Sequence, residues 1–502
     1  MDALISNLAL GLSVAADPSN LAFCFLGVLL GTLIGVLPGI GPVATIAILL
    51  PVTFGLPATA AIIMLAGIYY GAQYGGSTTA ILINLPGEAS SVVTSLDGYQ
   101  MARQGRAGIA LAVAALGSFF AGTIATILVA ATGPVLTGAA LSFAPADYFS
   151  LMLLGLCVSI VLASGSVLKS FAMVIAGIAL GLIGVDVETG QPRFTLGIPE
   201  LIDGVGFVPV AMGLFGIAEV IRNLEHLGQR QAVVERLSRI WPTMRDLRAA
   251  WSAVVRGTAL GTALGILPGG GATLASFAAY SLEKKVARDP SRFGKGAVEG
   301  VAGPESANNA AAQTSFIPLL TLGLPTNAVM ALLVGAFVIQ GVQPGPLVMQ
   351  KQPELFWGLI ASMWLGNLML VLLNLPLIGL WVRLLRIPYE ILYPAILLFC
   401  GIGAYSLSNN VFDVFLTAFF GLVGYGFLKL ALEPAPFLLG FVLGPMMEEN
   451  LRRALDMSGG DAAVFIERPI SLTLLILSAV ALVSVLMPSI RRGREIAFKE
   501  AP

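Results

Sequence analysis

The stretch GVLLGTLIGVLPGIG at residues 27–41 decides the fold, because it returns as GTALGTALGILPGGG at residues 257–271. Nine of the fifteen positions are identical. Each copy has a glycine at every fourth position, followed by Leu-Pro-Gly-x-Gly. Glycines at this spacing let membrane helices approach closely, and proline followed by glycine interrupts a helix. The repeat therefore predicts two closely packed helices that break inside a membrane protein.

The composition is that of a chain embedded in a bilayer. Of the 502 residues, 57% are hydrophobic and 11% are charged, and the mean hydropathy is +0.90. Several apolar runs are long enough to cross a hydrocarbon core of ~30 Å, and they are continuous rather than alternating. We predict an all-α polytopic membrane protein with roughly 10–12 transmembrane helices. The clearest runs are 107–131, 148–163, 355–382 and 470–487.

The distribution of charge predicts the orientation of the chain. Basic residues are concentrated in 222–256, 283–295 and the tail, and the positive-inside rule places these segments in the cytoplasm. Residues 1–20 and 184–206 are acidic and are predicted to be external. One repeat copy is then entered from outside and the other from the cytoplasm, which favours inverted halves over parallel ones. The predicted organisation is a first transmembrane half (1–221), a cytoplasmic basic linker loop (222–256), a second half (257–490) and a cytoplasmic tail (491–502).

A polar segment ending in Leu-Pro follows each copy of the repeat. Residues 69–91 read YYGAQYGGSTTAILINLPGEASS, and residues 304–328 read PESANNAAAQTSFIPLLTLGLPTNA. The apolar runs before Pro86 and Pro325 are too short to span a bilayer. They predict re-entrant or broken helices, which are tolerated only where they face protein or a cavity.

The interrupted helices are candidates for an anion site. A helix that restarts at Val43 or Ala272 presents unpaired N–H groups and the positive end of its dipole. The alternative is a simple kink or a tight corner between helices. Serine, threonine and asparagine in the polar segments could add contacts, or could merely cap helices. The predicted substrate-binding residues are Gly39, Gly41, Ser77, Thr78, Asn84, Pro86, Gly269, Gly270, Gly271, Asn308, Asn309, Ser315 and Pro325.

We expect a co-transported cation beside the anion. No arginine lies at the centre of an apolar run, and an anion of several charges loses much hydration free energy at mid-membrane. Helix ends alone do not offset that loss, so Na⁺ or H⁺ symport is expected. Hydroxyl and amide oxygens suit Na⁺, and Na⁺ is the only metal ion expected. The tentative cation-binding residues are Thr79, Asn84, Asn309 and Thr314.

Enzyme signatures are missing from the sequence. The chain has one histidine, His226, and lacks HExxH, GxSxG and a P-loop, so we expect neither catalysis nor a cofactor. Cys24, Cys157 and Cys400 lie in apolar runs and are read as small buried hydrophobes. Residues 1–20 lack a basic start, so a cleaved signal peptide is not expected. Nothing in the charge pattern points to nucleic acid.

Long ordered motifs resemble one known family. The sequence is similar to the large membrane subunit of the tripartite tricarboxylate transporters from about residue 20 to about residue 490. One departure is Thr326-Asn327, where glycine is expected after the second Leu-Pro. The motifs that carry the resemblance are GVLPGIGP (35–42), YYGAQYGGSTTAILINLPGE (69–88), GILPGGGA (265–272), YSLEKKVARDPSRFGKGAVEGVAGPESANNAA (280–311) and PLLTLGLP (318–325).

The resemblance implies a function and partners. It implies the permease subunit of a binding-protein-dependent secondary transporter, which takes up organic di- or tricarboxylates with a cation. A periplasmic solute-binding protein and a small membrane subunit are the implied partners, and the bacterial inner membrane is the implied location. The alternative is a channel or pore for small anions, which would differ in showing neither saturation nor counterflow.

Overall fold

The computed structural model describes residues 2–37, 41–163, 166–186, 188–225, 241–269, 271–384 and 389–486. Within these ranges almost every element is helical, which confirms the predicted all-α membrane fold. The predicted site residues Gly39 and Gly270 and the predicted tail 491–502 lie outside the described residues.

The first part of the chain forms ten helices and one small hairpin within the described ranges. A 3₁₀ turn (Leu50–Thr53) extends α3, another (Ala89–Ser91) precedes α5, and a π-helical turn (Met212–Ile217) joins α9 to α10. The helices and strands are α1 (Asp2–Ala15), α2 (Pro18–Val36), α3 (Pro42–Leu49), α4 (Ala58–Ile83), α5 (Val92–Arg103), α6 (Ala107–Ala140), α7 (Pro145–Leu162), α8 (Val167–Gly181), β1 (Gly184–Val185), β2 (Pro192–Arg193), α9 (Phe207–Ala211) and α10 (Ala218–Glu225).

The rest of the described chain is helical as well. A 3₁₀ turn (Pro290–Arg292) separates α12 from α13. The helices are α11 (Met244–Gly265), α12 (Gly271–Val286), α13 (Glu299–Thr314), α14 (Phe316–Leu322), α15 (Ala328–Ile339), α16 (Pro346–Lys351), α17 (Pro353–Asn374), α18 (Ile378–Leu384), α19 (Tyr389–Ser408), α20 (Val411–Lys429), α21 (Pro434–Met457), α22 (Val464–Glu467) and α23 (Pro469–Leu486).

Six helices within the described residues are long and apolar enough to cross a bilayer. Six shorter apolar helices accompany them, so the predicted ten to twelve spans are reached only when short or broken helices are counted. The long spans are Pro18–Val36, Ala107–Ala140, Pro145–Leu162, Phe207–Glu225, Pro353–Asn374 and Val411–Lys429.

The first glycine stripe fixes α2 against α4. A Cβ added at Gly31 would lie 2.4 Å from the carbonyl oxygen of Ile68, and one at Gly27 would lie 2.3 Å from that of Met64. Gly35 meets the carbonyl of Ala72 in the same way, at 2.5 Å. Along this contact, later residues of α2 meet later residues of α4, so the two helices run parallel. The chain between them must therefore return, and α3 with its 3₁₀ turn does so.

The second stripe repeats this arrangement in α11 and α13. Gly257, Gly261 and Gly265 meet the carbonyl oxygens of Gly303, Ala307 and Ala311 at 2.2–2.5 Å from an added Cβ. Here α12 returns between two parallel helices.

Contacts between the two central helices give the relative direction of the halves. Ser77 of α4 contacts Glu305 of α13. Tyr69, two turns earlier on α4, interacts with Ser315, which lies beyond the end of α13. The earlier residue of α4 thus meets the later residue of the second half, so α4 and α13 are antiparallel. This is the direction that an inverted repeat requires.

The two Leu-Pro segments adopt equivalent conformations. Helix α4 ends at Asn84 with φ 57°, and α14 ends at Gly323 with φ 72°. Leu-Pro follows each left-handed residue, and Glu88 and Asn327 then start the next helical segment from extended backbone, with φ −152° and −154°. Asn84 and Gly323 are 239 positions apart, as are Glu88 and Asn327. The segments are therefore matched residue by residue.

The predicted linker loop needs correction at both ends. Residues 222–225 are the end of α10, and 244–256 are the beginning of α11. Thr243 starts α11 because its hydroxyl accepts the N–H of Asp246, whose carboxylate accepts the N–H of Thr243 in return. The predicted domain boundary at 257 falls within this helix, and residues 226–240 lie outside the described residues.

An ion-pair network joins the hairpin to α21. Arg193 binds Asp186 at 3.0 Å and Glu448 at 2.7 Å, and Arg452 binds Asp186 at 2.8 Å. The N–H of Thr189 holds the pKa of Asp186 below its usual range, with help from Glu188 N–H and the Arg452 guanidinium. These ion pairs therefore hold the segment around the hairpin, which the sequence predicts to be external, against α21.

Replacing Gly31 and Gly41 by leucine should separate a packing glycine from a cavity glycine. An added Cβ at Gly31 clashes with the Ile68 carbonyl, whereas one at Gly41 finds nothing within 4 Å and φ is −75°. We expect Gly31→Leu to lower the yield of monodisperse protein several-fold and Gly41→Leu to leave it unchanged. Size-exclusion chromatography in detergent measures both. Equal yields would contradict this packing role.

Acidification should weaken the hairpin network. The pKa of Asp186 is lowered in the folded protein, which means that folding favours the charged carboxylate. Its contribution to stability is therefore present above the unfolded pKa of about 4 and is lost as pH falls through the folded pKa. Asp186→Asn should remove that part of the pH dependence of the melting temperature below about pH 5. Asp203→Asn, an exposed acid of the same loop, is the control. Identical pH profiles for the two variants would refute the assignment.

Candidate functional site: a cavity between the interrupted helices

Both interruptions and both Leu-Pro segments line one cavity of about 790 Å³. Gly41 and Gly269 come from the two copies of the repeat, and Pro86 and Asn327 come from the two segments that follow. The volume lies within the range of about 300–1,000 Å³ that small-molecule sites occupy. The breaks therefore meet at a space large enough for an organic acid.

First turns of several helices face this cavity. The starts of α3, α12, α15 and α21 line it, together with the turn before α5. The first N–H groups of a helix have no partner inside the helix, and the dipole makes this end positive. Pro42 and Pro434 hold the first position of α3 and α21, as helix starts favour. The wall is thus suited to negative charge.

Charged side chains add to the wall. Arg222 lies on it near the end of α10, 3.6 Å from Glu219, and its side chain is 56% exposed. Glu88 and Glu433 also line the cavity. The cavity therefore carries a guanidinium, although the basic composition around Arg222 predicts a loop there.

A polar network behind the cavity joins the two halves. Asn308 donates to Glu88 over 3.2 Å, and the Ser77 hydroxyl is hydrogen-bonded to Glu305 Oε2 over 2.5 Å. Thr94 also donates to Glu305, and Ser90 donates to Glu88 and lies 3.0 Å from Gln73 Oε1. Glu305 is 1% exposed. Residues of both polar segments thus share one buried cluster.

The predicted substrate residues fall into two groups. Gly41, Pro86, Gly269 and Gly271 line the cavity. Pro325 is not among the lining residues, although Asn327 of the same segment is. The others lie behind the cavity or away from it: Ser77 and Thr78 border a smaller cavity, Asn308 and Asn309 are buried in the network, Ser315 bonds the carbonyl of Ala312, and Asn84 is an exposed helix end.

The structure does not join the four tentative cation residues. Thr79 donates to the carbonyl of Gly76 and Thr314 to that of Ala310, as capping or packing hydroxyls do. Asn309 donates to Ser118 over 2.7 Å, and Asn84 is exposed. Their joint role stays a prediction, and the described residues contain no cluster of three or more Asp, Glu, His or Cys that could hold a metal.

The departure at the second Leu-Pro has a structural reason. A Cβ at Gly87 would lie 2.2 Å from the carbonyl of Gly35, so the first segment requires glycine. At the equivalent place Thr326 is buried, and its carbonyl accepts the N–H of Gly269 over 2.7 Å. The second segment is thus held by a hydrogen bond to the interruption and has room for a side chain.

Fold and cavity together define a polytopic membrane protein with a large cavity between interrupted helices. The model of the Tripartite tricarboxylate transporter TctA family matches residues 21–439. The chain belongs to this family, and it is accordingly a transport protein of the membrane.

Two relatives come from Agrobacterium vitis. The chain is 59% identical over 497 residues to an uncharacterized 52.8 kDa protein in the TAR-I ttuC' 3' region, covering 99% of each chain. It is 61% identical over 240 residues to an uncharacterized protein in the TAR-II ttuC' 3' region, covering 48% of this chain and 99% of the relative. No solved structure matches the chain.

Cysteine labelling should distinguish the cavity wall from the packed helices. Cys24, Cys157 and Cys400 are buried as expected, so their background reaction should be low. Ala89 is exposed on the cavity wall, whereas Ala310 is fully buried in α13. A small maleimide should label Ala89→Cys about tenfold faster than Ala310→Cys, because only an accessible thiolate reacts. Equal rates measured by mass spectrometry would mean that water does not fill the cavity.

Proposed function

We propose that this chain is the permease subunit of a binding-protein-dependent secondary transporter that takes up organic di- or tricarboxylates by symport with Na⁺ or H⁺. The observation that carries the proposal is the single cavity lined by both interruptions and both Leu-Pro segments. Membership of the family supports transport, and the cavity supports the class of solute.

An anionic solute suits this cavity for two reasons. The positive ends of α3, α12 and α15 converge on it, and several weak attractions of about 0.3–2 kcal/mol each add up there. Arg222 supplies a full positive charge and a fork of donors that matches a carboxylate. A solute with two or three carboxylates could contact both.

The acids of the cavity wall argue for a coupling cation. Glu88, Glu219 and Glu433 line the same space as Arg222. A dianion or trianion would add to this negative charge, and unpaired charge is costly in a medium of low dielectric constant. A cation that binds with the solute would offset that cost, as the sequence already suggests.

The proposed partners follow from the tripartite family. A periplasmic solute-binding protein would deliver the solute, and a small membrane subunit would complete the complex. The basic segments would face the cytoplasm of a bacterium, with the chain in the inner membrane. Alternating access would come from movement of one half against the other around the cavity, without catalysis or a cofactor.

Uptake by the reconstituted complex tests this function. Proteoliposomes would contain the chain and its small subunit, with the purified binding protein outside and a panel of labelled di- and tricarboxylates. We expect saturable uptake and counterflow for at least one carboxylate. Arg222→Gln should raise the apparent KM about tenfold through loss of a charged hydrogen bond, and Arg453→Gln, an exposed arginine paired with Glu449, should not.

Two outcomes would count against the proposal. Flux without saturation or counterflow would favour the anion-pore alternative. Absence of uptake for every carboxylate, with a folded complex, would refute the solute class. Gly41→Leu serves as the occlusion control, because its side chain would enter the cavity without disturbing the fold.

A further inference from the structure

Glu305 is a buried acid with an unusual environment. Its side chain is 1% exposed, and within the described residues no lysine or arginine forms an ion pair with it. Ser77 and Thr94 are hydrogen-bonded to its carboxyl oxygens, and Asn308 lies one turn further along the same helix. Burial of an ionised carboxylate without a counter-ion is costly, so such a group tends to bind a proton or another cation.

The groups packed around Glu305 increase that tendency. The charged group that interacts with it from a neighbouring element is the acid Glu88, and Arg256 of α11 is paired with Glu283. Helices α6 and α14 carry no ionisable side chain. The ionisable groups that interact with Glu305 are Glu88 before α5 and Tyr74 of α4. Asp97 of α5 and Glu283 of α12 pack against the same helix at Gly300 and Gly303.

Hydrogen counting at Ser77 points to a proton. The Ser77 hydroxyl has one hydrogen but lies 2.5 Å from Glu305 Oε2 and 3.1 Å from the carbonyl oxygen of Gln73. One hydrogen makes one linear hydrogen bond, so a second hydrogen on Glu305 would make both contacts linear hydrogen bonds. A protonated Glu305 that donates to Ser77, while Ser77 donates to Gln73, accounts for both contacts.

Polar space lies on both sides of this carboxyl group. On one side, Ser77 borders a small cavity of about 10 Å³, room for about one water molecule. Tyr74 also borders it, and its buried hydroxyl has no hydrogen-bond partner. On the other side, Asn308 links Glu305 to Glu88 on the wall of the large cavity, and its own buried Oδ1 has no partner.

We propose that Glu305 is the residue that binds the coupling proton, with Glu88 as its contact to the solute cavity. The proposal rests on the symport function proposed above and selects H⁺ as the cation. A proton from water forms an O–H bond with the Glu305 carboxylate and returns to water when that bond breaks. No electron is transferred.

This arrangement couples the proton to the anion. A solute carboxylate in the large cavity meets the negative charge of Glu88, and Glu88 and Glu305 repel each other through the Asn308 contact. Protonation of Glu305 removes its repulsion with Glu88 and lowers the total negative charge that the anion meets, so the anion favours the protonated form. By thermodynamic linkage the proton favours the anion-bound form to the same degree.

Infrared difference spectroscopy tests the proposal without any solute. The full-length protein in lipid nanodiscs would be titrated with acid in H₂O and in D₂O, and the carboxyl C=O band would be followed. We expect Glu305→Gln to lose one protonated-carboxyl band. Glu299→Gln is the matched control, because Glu299 lies on the same helix but is paired with Arg292. It should retain that band.

A second variant guards against a misfolded Glu305→Gln. Thr94→Val keeps the side-chain shape but removes one hydroxyl that donates to Glu305. Loss of a hydrogen bond raises the C=O frequency, so the Glu305 band should move upward. A spectrum of Thr94→Val identical to wild type would overturn the proposal, as would a folded Glu305→Gln that loses no band.

Sodium provides the last arm of the test. If NaCl alone shifts a carboxylate band that Glu305→Gln lacks, and acid does not, Glu305 binds Na⁺ and the proton assignment is wrong. Uptake by the wild-type complex is measured separately. Uptake without a protonated Glu305 would refute this inference alone, whereas a protonated Glu305 without carboxylate uptake would refute the proposed function.

Discussion

The structure depends on six glycines that let two pairs of helices touch through their backbones. In each pair, an added Cβ would lie 2.2–2.5 Å from a carbonyl oxygen of the neighbouring helix. Lipid tails offer no hydrophobic force between helices, so association relies on close packing of this kind. Because the contacts make α2 parallel to α4 and α11 parallel to α13, the chain must turn back between the members of each pair. The breaks between α2 and α3 and between α11 and α12 allow that return.

The return of the chain explains why polar backbone is tolerated at this depth. Non-helical segments in a membrane protein must face protein or water. Here the two interruptions and the two Leu-Pro segments face a common cavity, and the carbonyl of Thr326 accepts the N–H of Gly269. The packing glycines therefore position the interruptions, and the interruptions line the cavity.

The packing glycines and the interruptions could be predicted from the sequence, whereas most of the side-chain contacts around the cavity could not. Glycine spacing and Leu-Pro-Gly report local rules of packing and backbone conformation, so both could be identified without a structure. The roles of Ser77 and Asn308 depend on which helix lies opposite, and that follows only from the antiparallel contact of α4 with α13. Arg222 was missed because the end of α10 cannot be told from a basic loop by composition alone.

The repeat is symmetric in its framework and asymmetric in its charges. In the central helices and the Leu-Pro segments, positions 239 apart are equivalent, and the left-handed Asn84 and Gly323 show how closely the backbones agree. The same spacing relates Glu88 to Asn327 and Glu305 to Ala66. The acid of the first Leu-Pro segment thus meets the acid of the second half's central helix, while their equivalents are an amide and a methyl group.

That asymmetry has a consequence for transport. In the proposed transport cycle the two halves would exchange shapes, because each interruption and each Leu-Pro segment has a counterpart in the other half. A second cluster of this kind would double the cost of desolvation, since its acids would also lack a counter-ion. With one cluster, to which Glu88 and Glu305 contribute from the two halves and in which Asn308 donates to Glu88, the proposed protonation would be a single event.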